Sequence, residues 1–109
     1  MRELVRTILE AEGHTVLTAD DGTTGEQLAR EHTADLVITD LHMDEMDGIS
    51  LTGRLRAMPE YKAVPILVLT TEQSDDKKGE ARGVGASGWL TKPFSPPRLI
   101  KAVNKLLDL

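Results

Sequence analysis

Two stretches decide the fold: Ala34-Asp35-Leu36-Val37-Ile38-Thr39-Asp40 and Pro65-Ile66-Leu67-Val68-Leu69-Thr70-Thr71. Each holds a short, unbroken apolar run, Leu36 to Ile38 in one and Ile66 to Leu69 in the other, followed by polar residues: Thr39 and Asp40 in the first, Thr70 in the second. Consecutive apolar residues of this length suit a strand buried on both faces, as in a parallel sheet, rather than the alternating pattern of a half-exposed strand. Between them lies a polar loop, Leu41 to Gly48, followed by Ile49, Leu51, Leu55 and Met58 at helical spacing. Pro59 and Pro65 bracket a second loop.

Working outward, Leu4, Val5, Ile8 and Leu9 recur at helical spacing and Gly13 is a natural helix stop. His14 to Thr18 reads as a short strand. Asp20-Asp21-Gly22 reads as a turn, and Thr23 or Thr24 is placed to cap a second helix through about Glu31. Beyond the second apolar run, Ser74 is placed to cap a helix from Asp75 to about Arg82, with two carboxylates suiting the dipole in its first turn. Gly83, Gly85 and Gly88 lead into a strand over Trp89 to Thr91. Ser95 then caps a last helix that tolerates Pro96 and Pro97 in its first turn and carries Leu99, Ile100, Val103, Leu106 and Leu107. A helix followed by strand-helix four times over predicts an α/β layer fold with a mostly parallel sheet.

Composition narrows the function. The chain has 109 residues, enough for one domain of ordinary size, with 39% hydrophobic and 28% charged residues. One Trp, one Tyr and one Phe leave the core to Leu, Val, Ile and Ala. With no cysteine there are no disulfides, thiolate metal sites or Cys nucleophiles. No apolar run approaches a membrane span of roughly 18 residues, and no signal peptide is expected before the first helix. Thirteen Lys and Arg against eighteen Asp and Glu give a net charge of −5, which disfavours nonspecific nucleic acid or anionic membrane as a partner.

In open parallel sheets, ligands bind outside the carboxyl ends of the strands. Asp40, Thr70 and Lys92 fall at three such ends. A carboxylate, a hydroxyl and an ammonium meeting there suit phosphoryl transfer: Asp40 as nucleophile forming an acyl phosphate, Lys92 as a charge on one phosphoryl oxygen, Thr70 as a hydrogen bond to another. The competing reading is that each residue merely ends its strand.

Asp35-Leu-Val-Ile-Thr-Asp40, Met46-Asp47-Gly48-Ile49, Pro65-Ile-Leu-Val-Leu-Thr-Thr71 and Gly85-Ala-Ser-Gly-Trp-Leu-Thr-Lys-Pro-Phe94 together resemble the receiver domains of two-component response regulators, most closely the CheY-like chemotaxis group. The resemblance runs the length of the chain, residues 1–109 as one receiver domain. It implies a flavodoxin-like (CheY-like) parallel sheet with helices on both faces, and a cytoplasmic signalling protein rather than an enzyme acting on a separate metabolite. It further implies Asp40 as phosphoacceptor, Thr70 as switch hydroxyl, Lys92 as phosphate-pairing lysine, and Trp89 as the aromatic whose rotamer couples to Thr70. The His42 backbone carbonyl and Asp40 would be Mg²⁺ ligands, and His42 and Glu72 would line the site and tune dephosphorylation. The Lys92–Pro93 bond is cis in this family. A histidine kinase would be the phosphoryl donor and an output protein, such as a flagellar motor component, the reader of the face formed by the fourth and fifth helices. Lys77, Lys78, Arg82, Lys101 and Lys105 lie there, where the alternative is a solvated surface.

The chain departs from the family in two ways. Receivers begin with an apolar strand and two adjacent acidic residues, and this sequence opens inside the first helix. The acidic pair helps hold Mg²⁺, which relies on one or two carboxylates plus phosphate oxygens, so a weakened metal site is expected. Asp44, at a position usually proline, and Glu45 beside it are alternative carboxylates. The missing strand would be central in the order 2-1-3-4-5. A buried unpaired backbone group costs about 1–3 kcal/mol and a strand carries several, a total rivalling the roughly 5–15 kcal/mol of a whole domain. Three resolutions are open: further residues precede Met1 in the natural product, two chains pair or exchange edges, or the His14–Thr18 strand closes onto the Ala34–Thr39 strand. Self-association as a homodimer, through exposed strand edges, is the expectation. His14, His32 and His42 show no metal-ligand spacing. Two further functions compete: a phosphorylation-deficient interaction module, and a small-molecule phosphatase using Asp40, which lacks a second acid–base carboxylate close by.

Overall fold

A computed structural model describes residues 2–19, 21–40, 47–71 and 75–108, the side chains of residues 2 and 75–78 aside. Its elements, in chain order, are α1 (Arg2–Ala11), α2 (Gly22–Glu31), β1 (Val37–Asp40), α3 (Gly48–Arg56), a 3₁₀ turn (Pro59–Tyr61), β2 (Ile66–Thr70), α4 (Asp75–Gly83), β3 (Gly88–Thr91) and α5 (Pro96–Leu107). The strands form one parallel sheet in the order β1-β2-β3. Val37 to Asp40 align with Ile66 to Leu69, and Leu67 to Thr70 with Gly88 to Thr91. This register brings the carboxyl ends of all three strands to one edge.

Alternation along the strands divides the core between the two faces of the sheet. Leu67 and Leu69 of β2 pack with Val5 and Leu9 of α1 and with Leu99 and Val103 of α5. Ile66 points the other way, into a second cluster with Leu51 and Leu55 of α3 and Tyr61. Every residue of β2 is buried, as expected of the middle strand, whereas β1 and β3 are each buried at only one of four positions. The apolar runs thus read correctly as strands, but burial on both faces belongs to β2 alone.

The helix ends follow their capping chemistry. Asp47 caps α3 by accepting from the Ser50 N–H at 2.7 Å, and Ser95 caps α5 by accepting from Arg98 at 3.4 Å. The cap of α2 is Asp21, which accepts from the Thr24 N–H at 2.8 Å, rather than Thr23 or Thr24, which lie inside the first turn. Gly13, with φ +91°, ends α1 in the left-handed region that a side chain disfavours. The Ser74 cap lies outside the described residues.

The strand expected over His14 to Thr18 is absent: this segment pairs with no other strand among the described residues. The reason is topological. α1 packs on one face of the sheet, while Ala29 of α2 packs with Val37 in the cluster on the opposite face, so residues between these helices pass around the β1 edge. An extended chain becomes a strand only when a neighbour completes its ladder. The sheet has not contracted to make 14–18 that neighbour. Val16 nonetheless packs against the α1/α5 core, and Leu17 is 56% exposed.

Candidate functional site

Asp40 closes β1, and Lys92 follows directly on β3. The Lys92 backbone N–H donates to the Thr70 carbonyl at 2.7 Å, which carries the β2–β3 pairing one step further and fixes where the lysine side chain departs. That side chain crosses the carboxyl edge of the sheet, and its Nζ stands 2.6 Å from Asp40 Oδ1. The approach lies outside hydrogen-bond angles, so the attraction is that of an ion contact. Both side chains keep partial access to solvent, 28% for Asp40 and 22% for Lys92. Thr39 is buried and donates its Oγ1–H to the Asp40 carbonyl at 3.0 Å.

Thr70 ends β2 and is 2% exposed. Trp89 pairs across the ladder with Val68, two residues before Thr70. Its ring is partly buried, and Nε1 lies out of solvent without a hydrogen-bond partner among the described residues. The Lys92–Pro93 bond is cis. Of the residues singled out in the sequence, the structure therefore brings Asp40, Lys92 and Thr70 to one sheet edge, with Trp89 on the strand leading there. His42 and Glu72, together with Asp44 and Glu45, lie outside the described residues. His32 is at the end of α2, as expected, and His14 is in the unpaired segment.

Among the described residues, no group of three His, Cys, Asp or Glu side chains is placed to hold a metal ion. Asp40 supplies a carboxylate, with Lys92 already against one oxygen. The described donors do not by themselves make a divalent-cation site, which needs more oxygen ligands than this.

Two polar clusters carry no prior signal in the motifs. Glu26, only 6% exposed, accepts from Arg30 at 2.7 Å and from both Arg54 Nε and Nη2, joining α2 to α3. Hydrogen bonds from Arg54, then Arg30, hold its carboxyl down at about 2. Arg56, at the opposite end of the sheet from Asp40, reaches the connections before β2 and before β3. The Glu26–Arg30 spacing of four residues was a local clue. Nothing in the sequence marks Arg54 or Arg56.

The family model for the response regulator receiver domain matches residues 1–104. This chain belongs to the response regulator receiver family. Among curated relatives of the receiver, chemotaxis protein CheY-3 of Vibrio cholerae is 33% identical over 109 residues, 99% of this chain and 84% of the relative. The crystal structure of Vibrio cholerae CheY4 superposes with a TM-score of 0.94 at 40% identity, over 96% of this chain and 88% of that one. A receiver domain of the Pseudomonas aeruginosa histidine kinase PA1611, solved with magnesium coordinated in its active-site cleft, shares the fold at a TM-score of 0.90 and 23% identity, over 99% of this chain and 88% of that one. A receiver is a signalling module of two-component systems, and its relatives here include chemotaxis proteins. No described helix is long and apolar enough to cross a membrane.

Proposed function

We propose that this receiver accepts a phosphoryl group on Asp40 from the phosphohistidine of a histidine kinase, in the cytoplasm, and thereby alters the face around Trp89 that an output protein of a chemotaxis-type pathway reads. The contact of Lys92 Nζ with Asp40 Oδ1 at the carboxyl edge of the sheet carries this reading. An Asp40 oxygen bonds to phosphorus as the phosphorus–nitrogen bond breaks. The electron pair leaves on the imidazole, which takes up a proton. Hydrolysis reverses the state: water oxygen bonds to phosphorus, the acyl phosphate bond breaks, and the carboxylate and inorganic phosphate are released. Lys92 offsets the charge that arrives with the phosphoryl group, acting as a point charge that can follow it. Thr70 supplies a hydroxyl, with the adjacent ladder bond to Lys92 linking the two positions.

Signalling of this kind is a population shift, in which the phosphorylated form favours one arrangement of Thr70 and Trp89 over another. Incubation with acetyl phosphate and Mg²⁺ tests the chemistry: one phosphoryl group is expected on the intact chain, and none on Asp40→Asn. A folded chain that never takes up the group would leave only the receiver fold.

A second reading, self-association through strand edges, is favoured by the outer position of β1 and by Leu4 and Leu17, exposed at 49% and 56%. Light scattering at micromolar concentration decides it: a dimer is expected, and a clean monomer rules it out.

A further inference from the structure

We infer that Arg56 is a positioning residue for Trp89, acting through the loop that delivers β3. The guanidinium has five N–H donors in a planar fork, and all five are engaged. Nε and Nη2 donate to the Gly85 carbonyl at 3.0 and 2.8 Å, and Nη2 also to Ser87 Oγ at 3.3 Å. Nη1 donates to the carbonyls of Tyr61 and, at 2.7 Å, Val64. One side chain from the end of α3 thus joins the loop before β2 to the loop before β3.

The α4–β3 loop is shaped to present these acceptors. α4 ends in a left-handed turn, with Gly85 N–H donating to the Arg82 carbonyl at 3.0 Å and Ala86 N–H to that of Ala81 at 2.9 Å. Gly85 has φ +105°, which a side chain disfavours, and a Cβ there would stand 2.9 Å from Arg56 Nε, so that the arginine would have to move away from its acceptors. Ser87 is held from the other side. Its N–H donates to the Ile66 carbonyl at 2.8 Å, and its Oγ accepts from Ile66 N–H at 3.1 Å. Gly88 and Trp89 follow immediately.

Trp89 has reason to depend on this clamp. A cleft of about 90 Å³ lies between α4 and β3, lined by Ala81, Arg82, Ala86, Ser87, Gly88 and Trp89. The indole Nε1 is buried with no acceptor among the described residues, an arrangement that local loosening would relieve by exposing it to water. Arg56 fixes the Ala86–Ser87 wall of that cleft through the residue on either side of Ala86. Buried desolvation lowers the Arg56 pKa from its ordinary value, as expected where a cation is satisfied by neutral carbonyls rather than by an anion.

The inference rests on the proposed role of Trp89 as reporter of the signalling face, but its test is separate from phosphorylation. Trp89 is the only tryptophan, so its fluorescence reports this site alone. Arg56→Lys keeps the charge and removes the fork. With the protein folded by circular dichroism, a red-shifted emission and a roughly twofold rise in acrylamide quenching are expected, as for a locally opened segment. Ser87→Ala, which deletes one acceptor, gives the same shift to a smaller degree and serves if Arg56→Lys does not fold. Glu26→Gln, which loosens α2 from α3 without touching the loop, is the control for lost stability and leaves both readings at wild type. Wild-type emission and quenching in the first two variants overturn the inference, as does an equal change in the control. Acetyl phosphate then separates the two proposals: an unphosphorylated wild type removes the switch and leaves the clamp, whereas normal phosphorylation with unmoved quenching in Arg56→Lys removes the clamp alone.

Discussion

Replacing Lys92 by Met deletes the cation at Asp40 while keeping most of the side-chain volume. At 2.6 Å, opposite unit charges attract by about 6 kcal/mol at an effective dielectric of about 20 and by about 1.6 kcal/mol in bulk water. The side chains, 22% and 28% exposed, sit between those limits. Desolvation and the ordering of a long side chain cancel much of the gain, so the net loss on removing Lys92 is about 1–2 kcal/mol. For a domain of this size that lowers Tm by roughly 4–9 °C.

The chemical effect should exceed the structural one. The incoming phosphoryl group adds negative charge beside Asp40, and the lysine interacts more strongly with that state than with the carboxylate alone. Loss of one such preorganised charge costs on the order of 100-fold in rate. The assay is the initial rate of phosphoryl incorporation from acetyl phosphate, followed by intact mass, at a temperature where both proteins are fully folded. Lys92→Arg, which retains charge in a different shape, should fall between Met and wild type. Equal rates for Met and wild type would refute the assignment of Lys92 to the phosphoryl group, leaving its ion contact with Asp40 as a structural feature only.

Other consequences follow from burial and charge. Because the Glu26 carboxyl is held at about 2, below its unfolded value of 4.5, its contribution to stability is complete above about pH 5 and is lost as pH falls towards 2. Urea melts at pH 7 and pH 3 should show Glu26→Gln about 1–2 kcal/mol less stable than wild type at the higher pH, with the difference shrinking at the lower, the value being modest because Arg30 and Arg54 are solvent-screened. Tyr61→Phe removes a hydroxyl that accepts from Ala34 N–H at 3.1 Å and faces the carbonyls of Ala29 and His32 at 2.9 and 2.7 Å, and should cost about 2 kcal/mol by chemical denaturation. Leu55→Ala empties a 1% exposed position against Tyr61 and Ile66, with an expected loss of about 3 kcal/mol by the same measurement.

The sheet was legible wherever a strand's own residues specify it. The apolar runs before Asp40 and Thr70 announce β1 and β2 because each must shield its apolar side chains whatever the loops do, although only β2 is buried throughout. His14 to Thr18 shows the limit of such reading: extended character can be local, but a ladder belongs to two segments, and the second is not among the described residues. Caps followed the same division. Ser95 was plain beside two prolines, while at α2 three capping types stand within Asp21 to Thr24, and only the backbone shows that Asp21 holds the extended cap conformation. At the site, Asp40 and Lys92 were legible because strand ends fix their place. Arg56 was not, since its acceptors come from two separate connections, before β2 and before β3, and leave no period or motif in the sequence.

The two ends of the sheet treat their cations in opposite ways, and that contrast locates where change can occur. At the amino end, Arg56 has every donor engaged by neutral oxygens, so an added anion would gain nothing there without breaking existing bonds. At the carboxyl end, Lys92 meets a carboxylate off hydrogen-bond geometry and keeps solvent access, so its donors can turn towards charge that arrives. A phosphoryl group on Asp40 would therefore be answered locally by Lys92, while the brace keeps the far ends of β2 and β3 in register. Trp89, on β3, lies between that edge and the brace. On the proposed reading, a cation that keeps solvent access beside the phosphoacceptor and another with every donor engaged at the far end of the sheet together suit a two-state signalling domain.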